Sequence, residues 1–160
     1  MNLLILRHGT AEIQGLQGDF SRELVEKGRE QARRAARLLK FAGLLPDVVL
    51  TSPLVRAKQT AEEFSKEAGM PGPLVQSWLA SGMTPITAIT ELSAFNDFRR
   101  VVIVGHEPDL SELINWILGA TEGGVRVKKG ALISLQISPP LQQGLLEFLI
   151  PSKFSQEASD

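Results

Sequence analysis

The chain has 160 residues, 43% of them hydrophobic and 22% charged, with a formal net charge of −1 and no cysteine. That length predicts one domain with a substantial core, and the near-neutral charge gives no global field to recruit nucleic acid or anionic lipid. The absence of cysteine excludes disulfides, thiolate metal sites and cysteine nucleophiles.

In chain order, Leu3–Leu6 is a short apolar run that stops at "RHG", which predicts a buried strand ending in a glycine turn. From Glu26 to Ala42 strong helix formers dominate, and Ala32, Ala35, Ala36, Leu39 and Ala42 line one helical face before Gly43. Asp47–Thr51, "DVVLT", is the next buried strand. A helix follows in "SPLVRAKQTAEEFSKEAG", with Ser52 the candidate N-cap, Pro53 at its first position and Gly69 its stop. "GPLVQS" suggests a short strand, and a helix from Pro85 to Ala94 follows Thr84. Val101–Val104 then repeats the opening grammar of strand, glycine and histidine, with a helix to Leu118 that Gly119 ends. Two last strand-like runs, "GALISLQI" and "GLLEFLI", are close enough for an antiparallel hairpin.

Alternating strand and helix predicts an α/β fold, a three-layer α/β/α sandwich with a mainly parallel central sheet. Residues 1–151 read as one domain and 152–160 as a polar tail expected to fray. No run approaches the ~18 apolar residues of a membrane span, and "LLIL" cut short by arginine does not read as a signal peptide. The expectation is a cytoplasmic monomer.

In such sheets the ligand crevice lies beyond the carboxyl ends of the strands. "RHG", "TSPLVR" and "GHEP" follow three predicted strands, and between them they hold Arg7, Arg56 and both histidines, His8 and His106. Arginine forks suit phosphate oxygens, and a neutral imidazole with one free nitrogen is a nucleophile. The set reads as a phosphoryl pocket in which His8 attacks phosphorus and Arg7 neutralises the group attacked. Each residue alone has a blander reading: a surface turn for Arg7–His8, a solvated side chain for Arg56, a turn contact for His106. Two histidines without cysteine make a metal site a poor fit.

"LLILRHGTAE", "LVEKGREQARRAARLL", "VVLTSPLVRAKQTAE" and "VVIVGHEPDL" resemble, in this order, the histidine phosphatase (phosphoglycerate mutase-like) superfamily, and within it the small SixA-type phosphohistidine phosphatases. The resemblance covers most of the chain to about Leu118. It implies the phosphoglycerate mutase-like fold, His8 as a transiently phosphorylated nucleophile, and Arg7, Arg56 and His106 as binders of the phosphoryl oxygens. It implies no metal and no organic cofactor.

Many members carry a glutamate that protonates an ester leaving group, but "WLASGMTP" holds no acid at the matching place. Glu12, Glu91 and Glu107 are the remaining candidates, with Glu107 more simply a helix-start residue. The missing acid and the short segment from Val75 to Pro85, with no room for a lid, favour a phosphohistidine-bearing protein, such as a phosphotransfer domain, as substrate. The alternatives are a small-molecule phosphomonoesterase of the same superfamily and a non-catalytic phosphoprotein-binding module.

Four further features invite a role. Arg29, Arg33, Arg37 and Lys40 form a basic stripe that Glu26 and Glu30 balance. Lys128 and Lys129 stand where they could reach the pocket rim. Thr10 could bond phosphate or its own turn, and Trp78 and Trp116 read as packing residues. Val25, where relatives often have threonine, forfeits a helix cap.

Overall fold

A computed structural model describes residues 1–121 and 123–155. Its six-stranded sheet is built from β1 (Asn2–Arg7), β2 (Val48–Thr51), β3 (Leu74–Val75), β4 (Arg100–Gly105), β5 (Leu132–Ile137) and β6 (Gly144–Ile150), in the order β3-β2-β4-β1-β5-β6. The first four strands are parallel; β5 runs antiparallel to β1 and pairs with β6 as the expected hairpin.

Strand alternation divides the core into two layers. Leu4, Leu6, Val102 and Val104 face α1 (Glu26–Phe41) and α2 (Val55–Ala68), packing on Ala35, Ala36, Ala57, Ala61 and Phe64. Leu3, Ile5, Val101 and Ile103 face α3 (Pro85–Leu92) and α4 (Asp109–Leu118), packing on Ala88, Ile89, Leu110, Leu113 and Ile114. Helices thus cover both faces of a mainly parallel sheet, the predicted three-layer sandwich.

Gly69 and Gly119 end α2 and α4 in the left-handed conformation, as their place after each helical run implies. Thr84 caps α3 by accepting from Thr87 N–H at 3.2 Å. Val25 caps α1 with no side-chain hydrogen bond, as its lack of a side-chain oxygen requires. Two boundaries differ from expectation: α2 begins at Val55 behind Leu54, not at Pro53 behind Ser52, and α3 stops at Leu92 rather than Ala94, giving way to a 3-10 turn over Ser93–Phe95. Trp78 and Trp116 pack partly buried against the core. Beyond Pro151, Ser152–Ser155 form a 3-10 turn, and the remainder of the predicted tail lies outside the described residues. Among the described residues no helix is long and apolar enough to cross a membrane.

Candidate active site

The same alternation that buries Leu4 and Leu6 carries on to His8, and that of Val102 and Val104 carries on to His106. Strands β1 and β4 are in register, Arg7 opposite Gly105, and His8 N–H donates to Gly105 C=O at 3.1 Å. Both imidazoles therefore leave neighbouring strand ends on the α2 side of the sheet. Their ring centroids are 5.2 Å apart and the planes tilted by 51°. Both are buried.

The first turn of α2 brings Arg56 to them. Its guanidinium is buried, and Nε–H donates to His8 Nε2 at 3.3 Å. His8 Nδ1 lies 2.8 Å from the Gly9 carbonyl oxygen. A carbonyl only accepts, so Nδ1 carries the proton and Nε2 keeps its lone pair. The remaining Arg56 nitrogens are held by Asp19: Nη1 donates to its backbone oxygen at 2.8 Å and Nη2 to its carboxylate at 3.0 Å.

Arg7, one residue before His8, belongs to the other face of the sheet. Its Nη1 donates to Val127 C=O at 2.9 Å, while its buried Nε has no partner among the described residues. His106 Nε2 is hydrogen-bonded to Ser52 Oγ at 2.7 Å, and its buried Nδ1 likewise has no partner. Buried polar groups are normally paired, so an unpaired donor and an unpaired ring nitrogen within one candidate set fit a site that receives a ligand.

Electrostatics keep both rings neutral. Burial pushes the His8 imidazole down to about 3, against the raising effect of the Gly9 bond and with help from His106, Arg56 and Arg7. Burial, then Arg56 and Arg7, takes His106 to about 4, with Asp19 opposing. The hydrogen bond from Arg22 first, and the nearby Arg56, hold Asp19 below the usual carboxylate range.

None of the three glutamates stands as a poised acid. Glu12 accepts from Glu23 N–H at the neck of its loop. Glu91 is exposed on α3. Glu107 accepts from Ser111 N–H at 3.0 Å and Ser111 Oγ–H at 2.5 Å at the start of α4. That Ser111 oxygen in turn accepts from Val127 N–H, so Glu107 helps to fix the carbonyl that Arg7 grips. Thr10 is occupied too, both its N–H and its hydroxyl meeting Gln31 Oε1.

Sequence reasoning missed several supporting residues. Asp19 stands in a polar loop with no spacing signal. Thr60 accepts from Gly9 N–H at 3.1 Å and donates to Arg56 C=O at 2.7 Å, tying the His8 turn to α2. Asp109 accepts from Gly82 and Met83 N–H, pinning the loop after β3 beside α4. Gly28 lets the His8 turn approach α1: a Cβ there would sit 2.1 Å from the Thr10 carbonyl oxygen. Its place in "EKG" was the only available signal.

The three arginines of the basic stripe on α1 are neutralised. Arg29 and Arg33 reach Glu63, Arg33 also meets Glu26 and Glu30, and Arg37 meets Glu30 and Glu67. Among the described residues no group of three or more His, Asp or Glu side chains could hold a metal ion.

Residues 3–78 match the family model described as histidine phosphatase superfamily (branch 1). An uncharacterized protein of Picosynechococcus sp. is 34% identical over 140 residues, 85% of each chain. A 2,3-bisphosphoglycerate-dependent phosphoglycerate mutase of Thermobifida fusca is 46% identical over 80 residues, which are 48% of this chain and 32% of the mutase. The structure of the protein histidine phosphatase SixA complexed with tungstate superposes with a TM-score of 0.87 over 96% of this chain and 99% of that one, at 24% identity. The chain belongs to the histidine phosphatase superfamily.

Proposed function

We propose that the protein is a phosphohistidine phosphatase that removes phosphate from histidine on another protein through a phospho-His8 intermediate. In the first step the Nε2 lone pair of His8 attacks phosphorus in line with the P–N bond. That bond breaks and its electron pair leaves on the substrate imidazole, which departs neutral when its other nitrogen carries a proton. Arg56 exchanges its bond to the Nε2 lone pair for one to a phosphoryl oxygen. Arg7 Nε–H and His106 face the remaining charge of the transition state. The Nδ1–H···O=C bond to Gly9 supports the positive charge that grows on the His8 ring. Water then attacks phospho-His8, returning the lone pair to Nε2 and releasing inorganic phosphate.

The observation that carries the reading is the pairing of a lone-pair-bearing His8 Nε2 against Arg56, with the carboxylates of Glu12, Glu107 and Asp19 otherwise engaged and Glu91 exposed on α3. An alkoxide leaving group needs a proton, and the acid nearest the pocket, Asp19, is held as a carboxylate by two arginines. A phosphoimidazole protonated on its other nitrogen already carries that proton and needs no enzyme acid. The match to a SixA structure with a tetrahedral oxyanion supports the same choice. The cysteine-free composition accords with a cytoplasmic site of action.

The test is phosphate loss from a phosphohistidine-bearing phosphotransfer domain, with wild type against His8→Ala. Wild type should release phosphate and form an acid-labile, alkali-stable phosphoenzyme, and the variant should do neither. Equal loss with both proteins overturns the reading. Faster turnover of an alkyl phosphate would instead make the protein a small-molecule phosphomonoesterase, and stoichiometric binding without release would make it a binding module.

A further inference from the structure

Beside the phosphoryl pocket, on the Arg7 side, opens a second cavity of about 390 Å³ whose lining includes Arg7, Lys27, Gln31, Lys128, Lys129 and Lys153. It draws on four separate parts of the chain: the end of β1, the first turn of α1, the segment before β5, and the turn after β6. Among the described residues no carboxylate lines it. The contrast with α1 is informative, because the arginines there are paired with glutamates whereas none of these four lysines forms an ion pair among the described residues. Burial, and then Arg7, Arg22, Arg56 and Lys27, hold the Lys129 ammonium below its usual range. Cations gathered this closely repel one another, and in a chain of net charge −1 such a cluster is a local arrangement rather than a general excess.

A cavity that shares Arg7 with the phosphoryl pocket can take only a group next to the phosphate on the same ligand. On the Arg56 side the rim differs. The loop closed by the Ala11–Leu24 bridge lays Asp19 on Arg56 and presents Ile13 (92% exposed), Leu16 and Phe20 (55% exposed) to solvent. A mouth with an apolar rim on one side and, on the other, lysines without an ion-pair partner among the described residues has the anatomy of a protein contact, which a small polyanion would not use.

We propose that the Lys27–Lys128–Lys129–Lys153 cavity is a docking subsite for acidic side chains adjoining the phosphohistidine of the substrate protein, so that the preferred substrate is an acidic phosphoprotein surface. This rests on the phosphohistidine reading above and adds to it the sequence surroundings of the target. Carboxylates within about a helical turn of the phosphohistidine occupy the cavity while the phosphoryl group meets Arg7, Arg56 and His106. Steering by exposed charges acts through association and is weakened by salt.

The probes are two phosphohistidine peptides that differ only in having two glutamates or two glutamines beside the phosphohistidine. Binding is measured on His8→Ala protein, where turnover cannot interfere, and kcat/KM on otherwise wild-type protein, each with and without Lys27→Glu/Lys128→Glu and Lys128→Glu/Lys153→Glu. The glutamate peptide should bind at least tenfold tighter, with an advantage that shrinks between 50 and 300 mM salt, and each double variant should abolish that preference. Equal binding of both peptides, or a preference that survives both variants, overturns the proposal. So does tight binding of tripolyphosphate in the cavity with no preference between peptides, which assigns it to a small polyanion. If the glutamate peptide binds preferentially and is never hydrolysed, the docking subsite stands and the phosphatase reading falls.

Discussion

An imidazole with the ordinary pKa of about 6.5 is roughly a quarter protonated at pH 7, and a protonated ring has no lone pair to attack phosphorus. Burial beside two arginines removes that loss for His8 and His106, pushing them to about 3 and about 4. With only two histidines in the chain, the consequence is directly readable by NMR. Neither ring should show protonation between pH 8 and pH 5, and a midpoint near 6.5 for His8 would contradict the buried, arginine-flanked geometry. The candidate site residues were legible because they cluster at strand ends: Arg7 closes β1, His8 and His106 directly follow β1 and β4, and Arg56 lies in the first turn of the helix after β2. Those that hold them were not: Asp19 reaches Arg56 across 37 positions of sequence, and a lone aspartate in a polar loop carries no pattern that announces such a contact.

At the scale of elements, the decisive junction is the His8 turn against the first turn of α1. A Cβ on Gly9 would lie 2.4 Å from Gly28 O, and one on Gly28 would lie 2.1 Å from Thr10 O, both against backbone that cannot swing aside. Gly28→Ala should therefore displace the turn that carries His8. The expected outcome is a fall of at least tenfold in the rate of phosphoenzyme formation, with a loss of about 1–3 kcal/mol of stability from overpacking. Rapid-quench kinetics and thermal unfolding check the two arms, and an unchanged rate would show that the turn does not depend on this approach. Helix ends were readable wherever a glycine takes the left-handed conformation, as at Gly69 and Gly119. The start of α2 was misread because Ser52, a good N-cap by type, uses its hydroxyl on His106 and Leu54 N–H instead. Composition specified a capping residue; the tertiary structure gave that oxygen another task.

For the whole molecule, two buried neutral histidines make stability depend on pH. The unfolded chain takes up protons below about 6.5, whereas the folded rings resist until about 4 and about 3, so the unfolded state binds more protons throughout that window. Unfolding free energy must then fall as pH is lowered from 6.5 towards 4, with no contribution from these groups above it. Melting temperature should drop across that range in the wild type and drop less in His8→Asn/His106→Asn; equal slopes would remove the histidines from the account. The layered architecture and the shared end of the sheet followed from strand–helix alternation. Of the lysine cavity only Lys128 and Lys129 were expected near the rim; Lys27 and Lys153 were not, because the cavity is assembled from four segments that only the closed fold brings together.

The spacing of the two imidazoles is set by the sheet rather than by any loop. Since β1 and β4 are hydrogen-bonded in register up to Arg7 and Gly105, the next residue of each strand stands one ladder rung from its neighbour, about 4.8 Å in any sheet, and the rings lie 5.2 Å apart. Peptide geometry is the gauge here, and it does not wear. Segments between residues 70 and 98 can lengthen or shorten across descendants of this chain without altering the separation, whereas a single-residue slip of β1 would turn His8 to the far side of the sheet. Variation in what the pocket accepts is thereby free to accumulate in the loops while the distance between its two rings stays constant.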